Sequence, residues 1–131
     1  MGIPVSAAQT PPAGDLANAY VGGRFTGTGQ SPTFSAYGSF NVVLWGNSGP
    51  MGPWNGTVRL EKTFDGGTTW VVQSIDQAAG SQASWTSAGT PGFPGLDVAT
   101  TFREVELGVG YRLNCIVFSN GPINYRMSTT S

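Results

Sequence analysis

The chain has no histidine and a single cysteine among its 131 residues. Histidine is the commonest general base and a frequent zinc ligand, so its absence removes the usual partner of a nucleophilic serine or cysteine and the usual nitrogen donor to a metal. Cys115 has no second cysteine with which to form an internal disulfide. At β spacing it shares a face with Tyr111, Leu113 and Val117, which reads as a small buried hydrophobe. Charge is scarce as well, at 10% of residues against roughly 25% in ordinary soluble proteins. The six basic residues, Arg24, Arg59, Lys62, Arg103, Arg112 and Arg126, are scattered and the net charge is −1. A nucleic-acid backbone calls for a concentrated basic footprint, so nucleic acid is not an expected direct partner. No stretch approaches the roughly 18 consecutive apolar residues of a membrane span, and the first residues lack the basic flank and apolar run of a signal peptide. The expectation is a protein made and folded in a cytoplasm, with no membrane partner.

Glycine, proline and aromatic residues are what the chain has instead. Twenty Gly and nine Pro favour turns and many short strands over helices, while 39% hydrophobic content, with four Trp, seven Phe and four Tyr spread along the sequence, argues for a folded body. The length fits one domain with one modest core.

Residues 1–30 are dominated by small and polar residues, with Pro11-Pro12 and Gly22-Gly23 as breakers and no sustained period. This segment reads as an extended N-terminal arm ahead of a single β-domain over residues 31–131. Ile3, Val5, Leu16, Tyr20, Val21 and Phe25 would anchor such an arm to a neighbouring subunit, and about 30 extended residues reach up to roughly 100 Å.

From Phe34 onward the pattern is β-like. Phe40, Val42 and Leu44 alternate with Val43 and Trp45, giving a strand apolar on both faces. Residues 46–56 carry too many breakers for a strand and read as a surface loop, where exposed Met51 and Trp54 would be costly without a partner or a fold-back. Thr57 to Phe64 alternates with Val58 and Leu60 inward and Arg59 and Glu61 outward, and Thr68 to Ile75 is a second β-branched run. Asp65-Gly66-Gly67 between them supplies the positive φ of a hairpin turn. Residues 76–97 form a long small-residue loop with Trp85, Phe93 and Leu96 as isolated apolar residues, a pattern expected of a contact loop. Three more strands are expected at Val98 to Leu107, Tyr111 to Ser119 and Ile123 to Ser128, joined through Gly108-Val109-Gly110 and Asn120-Gly121-Pro122. Short strands punctuated by turns indicate an all-β fold, an antiparallel β-sandwich or jelly roll.

Residues with catalytic potential are few. Glu104 and Glu106 alternate onto one strand face and could in principle form a glycosidase carboxylate pair, but with Phe102 on that face and Arg103 on the other, a solvated strand surface is the favoured reading. Asp15, Asp65, Asp76 and Asp97 are far apart and lack the spacing of an oxygen-rich metal loop. The expectation is a protein that works by binding, not an enzyme, with no catalytic residue, cofactor or metal. Trp54, Trp85 and Phe93 are candidates for a glycan-stacking platform, or else plugs for the core or a subunit interface.

Thr63-Phe64-Asp65-Gly66-Gly67-Thr68-Thr69-Trp70 resembles the Asp-box hairpin of sialidases and other β-propeller proteins. That resemblance implies a turn braced by the Asp65 carboxylate, made by Gly66 and Gly67, with Thr69 and Trp70 completing it and the Trp packed beneath. Propellers repeat the box blade by blade, whereas it occurs here once, and the catalytic residues of sialidases lie outside it.

More widely, residues 38–46, 56–70, 111–113 and 123–128 together resemble small virion proteins of tailed bacteriophages in their strand and turn pattern. The resemblance implies a β-sandwich module on the particle. Its first implication is a capsid cement, or decoration, protein that binds the major capsid protein, commonly as a homotrimer at the virion surface. A tail or fibre component is the alternative within the virion, and a carbohydrate-binding module the alternative outside it.

Overall fold

The computed structural model describes residues 20–46, 54–75, 84–88 and 98–129. It is all-β and antiparallel. Among the described residues eight strands form one sheet: β1 (Tyr20–Phe25), β2 (Gly29–Gln30), β3 (Phe34–Trp45), β4 (Asn55–Thr63), β5 (Val71–Val72), β6 (Trp85–Ala88), β7 (Val98–Asn120) and β8 (Ile123–Thr129). The order is β1-β8-β3-β7-β4-β5, with β2 also on β7 and β6 also on β4.

The 23-residue β7 organises the whole. Along one edge it pairs with β3 from Val98 to Tyr111 and then with β2 at Asn114 and Cys115; along the other it pairs with β4 from Gly110 to Asn120. Strand β7 thus passes from one half of the sheet into the other, and the halves close in a sandwich-like way on one core. Phe40, Val42 and Leu44 of β3, Val58 and Leu60 of β4, Leu113 and Cys115 of β7, and Ile123 and Met127 of β8 are all buried in that core. These are the residues that two-residue periodicity places on one face of each strand.

The Gly108-Val109-Gly110 segment does not turn the chain, as its composition suggested. It lies within β7, next to a bulge in the β3 pairing where the register moves from Ala36↔Val109 to Gly38↔Glu104. Only Tyr37 of β3 stands opposite the four residues 105–108. Gly108 has φ +81°, a conformation that costs other L-residues roughly 1–2 kcal/mol, so the glycine bends the strand without ending it.

The arm boundary also moves. Residues 20–25, read from composition as arm, pair along their whole length with β8, from Tyr20↔Ser128 to Phe25↔Ile123. The Gly22-Gly23 pair does not break the ladder, and position 23 calls for a glycine because the Tyr125 ring lies where a side chain there would stand. Phe25 is buried with its ring 4.7 Å from that of Tyr125. Ile3, Val5 and Leu16 lie outside the described residues.

Two further elements differ from the sequence reading. Of the expected Thr68–Ile75 strand, Val71 and Val72 pair with β4 and the Gln73 N–H donates to the Leu60 carbonyl at 2.8 Å, while the residues before them are taken up by the turn. Within the expected contact loop, residues 85–88 pair with β4 as β6.

Candidate functional site

Opposite the core, the outer face of β4 and β7 carries a cluster that the linear sequence does not show as one. The register sets Glu61 opposite Arg112 and Arg59 opposite Asn114, and Gln30 of β2 extends the second rung. Glu61 was expected to point outward into solvent. It does point away from the core, yet it is only 3% exposed because its neighbours cover it. Arg59 Nε donates to Oε2 at 2.8 Å, Arg112 Nε to Oε1 at 2.8 Å, and Asn114 Nδ2 to Oε2 at 3.0 Å. Burial alone would raise the Glu61 carboxyl, but the three hydrogen bonds and the charge of Arg112 outweigh it and hold the group below the ordinary carboxylate range. The Arg112 guanidinium lies over the Trp70 ring, 4.0 Å from its centroid, a cation–π contact.

Trp70 reaches that position through the turn after β4. The Asp65 carboxylate accepts from the backbone N–H of Thr69 at 2.9 Å and of Thr68 at 3.1 Å, and from the Thr63 hydroxyl at 2.9 Å. These bonds, led by that from Thr69, lower the Asp65 carboxyl from its ordinary value. Gly66 and Gly67 adopt φ +76° and +99°, as the turn demands. The Trp70 indole N–H donates to the Gly67 carbonyl at 3.1 Å, which ties the ring to the turn and orients it toward Arg112.

A second buried carboxylate sits beside the β7 bulge. Glu104, 4% exposed, accepts from the Tyr111 hydroxyl at 2.6 Å and the Glu106 backbone N–H at 3.0 Å, and pairs with Lys62 at 2.9 Å. Desolvation would raise its carboxyl; Tyr111 and Lys62 together lower it. Desolvation and Glu104 push the Tyr111 phenol well above its ordinary range. Glu104 is therefore not part of a solvated strand surface. Nor does it form a matched pair with the exposed Glu106, since the bulge breaks the alternation between them.

The bulge also sets apolar side chains in solvent. Leu107 is 74% exposed, Val105 73% and Tyr37 61%, and Phe64 at the head of the Asp65 turn is 57% exposed. An open cleft of about 390 Å³ lies at this end of the sheet, lined by Ser35, Tyr37, Thr63, Gly66, Gly108 and Val109 among others. Among the described residues its lining presents hydroxyls, glycine backbone and one aromatic ring, with no charged side chain.

The residues expected to meet a partner are distributed otherwise. Trp54 is fully buried and contributes its carbonyl to the Ser87 hydroxyl, and Trp85 is buried edge-on to Phe102, with ring centroids 6.2 Å apart. Both fill the core, and a stacking platform made with them is not available. The breaker-rich composition before Trp54 concealed that β4 begins directly after that residue. Tyr20 is half exposed, with Arg126 stacked on its ring at 4.3 Å. Met51 and Phe93 lie outside the described residues. The bulge residues Tyr37, Val105 and Leu107 were missed, because an alternating strand gives no sign of a register break. Cys115 is buried as expected; desolvation raises its thiol, which donates to the Val117 carbonyl at 3.3 Å. Among the described residues no group of three or more potential ligands is placed to hold a metal ion.

No protein-family model, curated protein or solved structure matches this chain.

Proposed function

We propose that this chain is a structural protein that works by binding and assembly. More specifically, we propose a small virion protein of a tailed bacteriophage, a capsid cement protein that binds the major capsid protein lattice and stabilises the head from its outer surface. The observation that carries the assembly reading is the bulge. Val105, Leu107 and Tyr37 stand largely in water at the register break between β3 and β7, an arrangement that favours burial against another protein surface. The virion assignment rests on the resemblance of the strand and turn pattern to phage structural proteins.

On this reading the chain bridges neighbouring capsomers as a homotrimer. Multivalent attachment adds avidity from contacts that are individually weak. It acts without catalysis or cofactor and without contact to nucleic acid or membrane, and it reaches the virion after synthesis in the host cytoplasm. A tail or fibre position uses the same assembly chemistry. The carbohydrate reading loses ground because two of its three platform residues, Trp54 and Trp85, are in the core.

The test is the mass of the purified protein by light scattering, with and without its cognate virus-like shells. A trimer that co-sediments with shells supports the cement role. A monomer that ignores shells contradicts it, and retention on isolated tails would move the assignment there.

A further inference from the structure

Arg59 and Arg112 flank a single carboxylate. Each gives its Nε–H to a different oxygen of Glu61, at 2.8 Å. No hydrogen bond from an Nη group of either guanidinium occurs among the described residues. Glu61 acts as a buried anchor that fixes two guanidinium forks. Asn114 holds the anchor in turn, donating to Glu61 at 3.0 Å and accepting from the Gln30 amide at 3.4 Å. The Trp70 ring backs Arg112, and Arg59 and Arg112 both retain access to solvent.

We propose that this pair forms a binding site for a carboxylate, supplied by an aspartate or glutamate side chain of an acidic segment on a partner protein. The chemistry favours that ligand on three grounds. Guanidinium Nη groups suit the planar, bidentate geometry of a carboxylate. Two cations and one anion leave one positive charge at the site, which a monovalent carboxylate neutralises. A phosphate group carries about −1.5 to −2 at neutral pH and would set excess negative charge beside Glu61. Val72, opposite Glu61 in the β4–β5 pairing and so on the face that carries the site, is partly exposed and offers apolar surface to the chain bearing the acid, which a free anion would not use. The site does not depend on the virion assignment, since it specifies the partner's side chain and not the particle.

The test uses the intact wild-type protein. Nitrogen-15 spectra of the arginine side chains are recorded while a capped hexaglutamate peptide is titrated in, and in a parallel series inorganic phosphate. The site predicts saturable shifts at Arg59 and Arg112 several-fold larger than at Arg24, Arg103 and Arg126, and no comparable saturation with phosphate. Equal shifts at all five arginines, an absence of shifts, or equal saturation by phosphate would each overturn it. Arg112→Lys, which keeps the charge but loses the fork, should weaken peptide binding about tenfold, equivalent to roughly 1.4 kcal/mol. Unchanged affinity in that variant, with its fold verified by the remaining spectrum, also contradicts the proposal.

Discussion

The outer face of β4 and β7 and the bulge of β7 solve opposite problems. On the outer face a carboxylate is taken out of water, and both oxygens are met by donors: Arg59 of the same strand, with Arg112 and Asn114 of β7, converge on Glu61. At the bulge, apolar side chains are put into water, and Val105 and Leu107 remain largely uncovered. Burying a charge without partners would cost several kcal/mol, so the chain satisfies that need internally. Exposing two aliphatic side chains costs far less and leaves their burial for another surface. On the proposed assembly reading, the contrast separates what the fold needs to stand from what is left over for binding.

Breaking the first region should have the largest effect. Glu61→Ala leaves two guanidiniums and an amide facing one another, and should lower stability by about 2 kcal/mol in urea unfolding at neutral pH. That is less than the full penalty for breaking a buried pair, because both arginines can turn to solvent. The same chemistry sets the acid limit. Glu61 and Glu104 both titrate below their ordinary value of 4.5 when folded. Their stabilisation is complete above that value, where the unfolded chain is also ionised, and is lost as pH falls through the lower folded values. In wild type, stability should decline steeply below about pH 4.5, and the Glu61→Ala variant should show a shallower decline. Parallel acid transitions in the two proteins would contradict the assignment.

The smallest effect should come from the turn. Asp65→Ala removes the acceptor for the Thr68 and Thr69 amides and should lower the melting temperature by less than Glu61→Ala does. Because the turn positions Trp70, the variant should also loosen the stacking on Arg112, visible as a change in Trp fluorescence. An unchanged melting temperature and spectrum would deny the turn its bracing role.

How far these regions could be read from the chain follows from their physics. The core faces of β3, β4 and β8 were legible because Phe40, Val42 and Leu44, then Val58 and Leu60, then Ile123, Tyr125 and Met127 repeat with the period of a strand. The turn was legible because Asp65-Gly66-Gly67 is local chemistry. The continuity of β7 was not, since glycines at 108 and 110 look the same whether they reverse a chain or bend a long strand. Composition places residues 20–25 in the arm, whereas their pairing with β8 depends on a long-range register that composition does not carry. The Glu61 cluster was hidden for a different reason. Arg59 and Glu61 share a face two residues apart, which was visible, but Arg112 and Asn114 join them only through a register that no local pattern specifies.

The central claim is that the bulge is surplus to folding and required for assembly. It is tested most directly by the double variant Val105→Ser and Leu107→Ser, measuring occupancy on cognate shells alongside the urea unfolding midpoint. The account predicts an unfolding midpoint close to that of wild type, since both side chains are already in solvent, together with a large loss of shell occupancy. Full occupancy at an unchanged midpoint would contradict it.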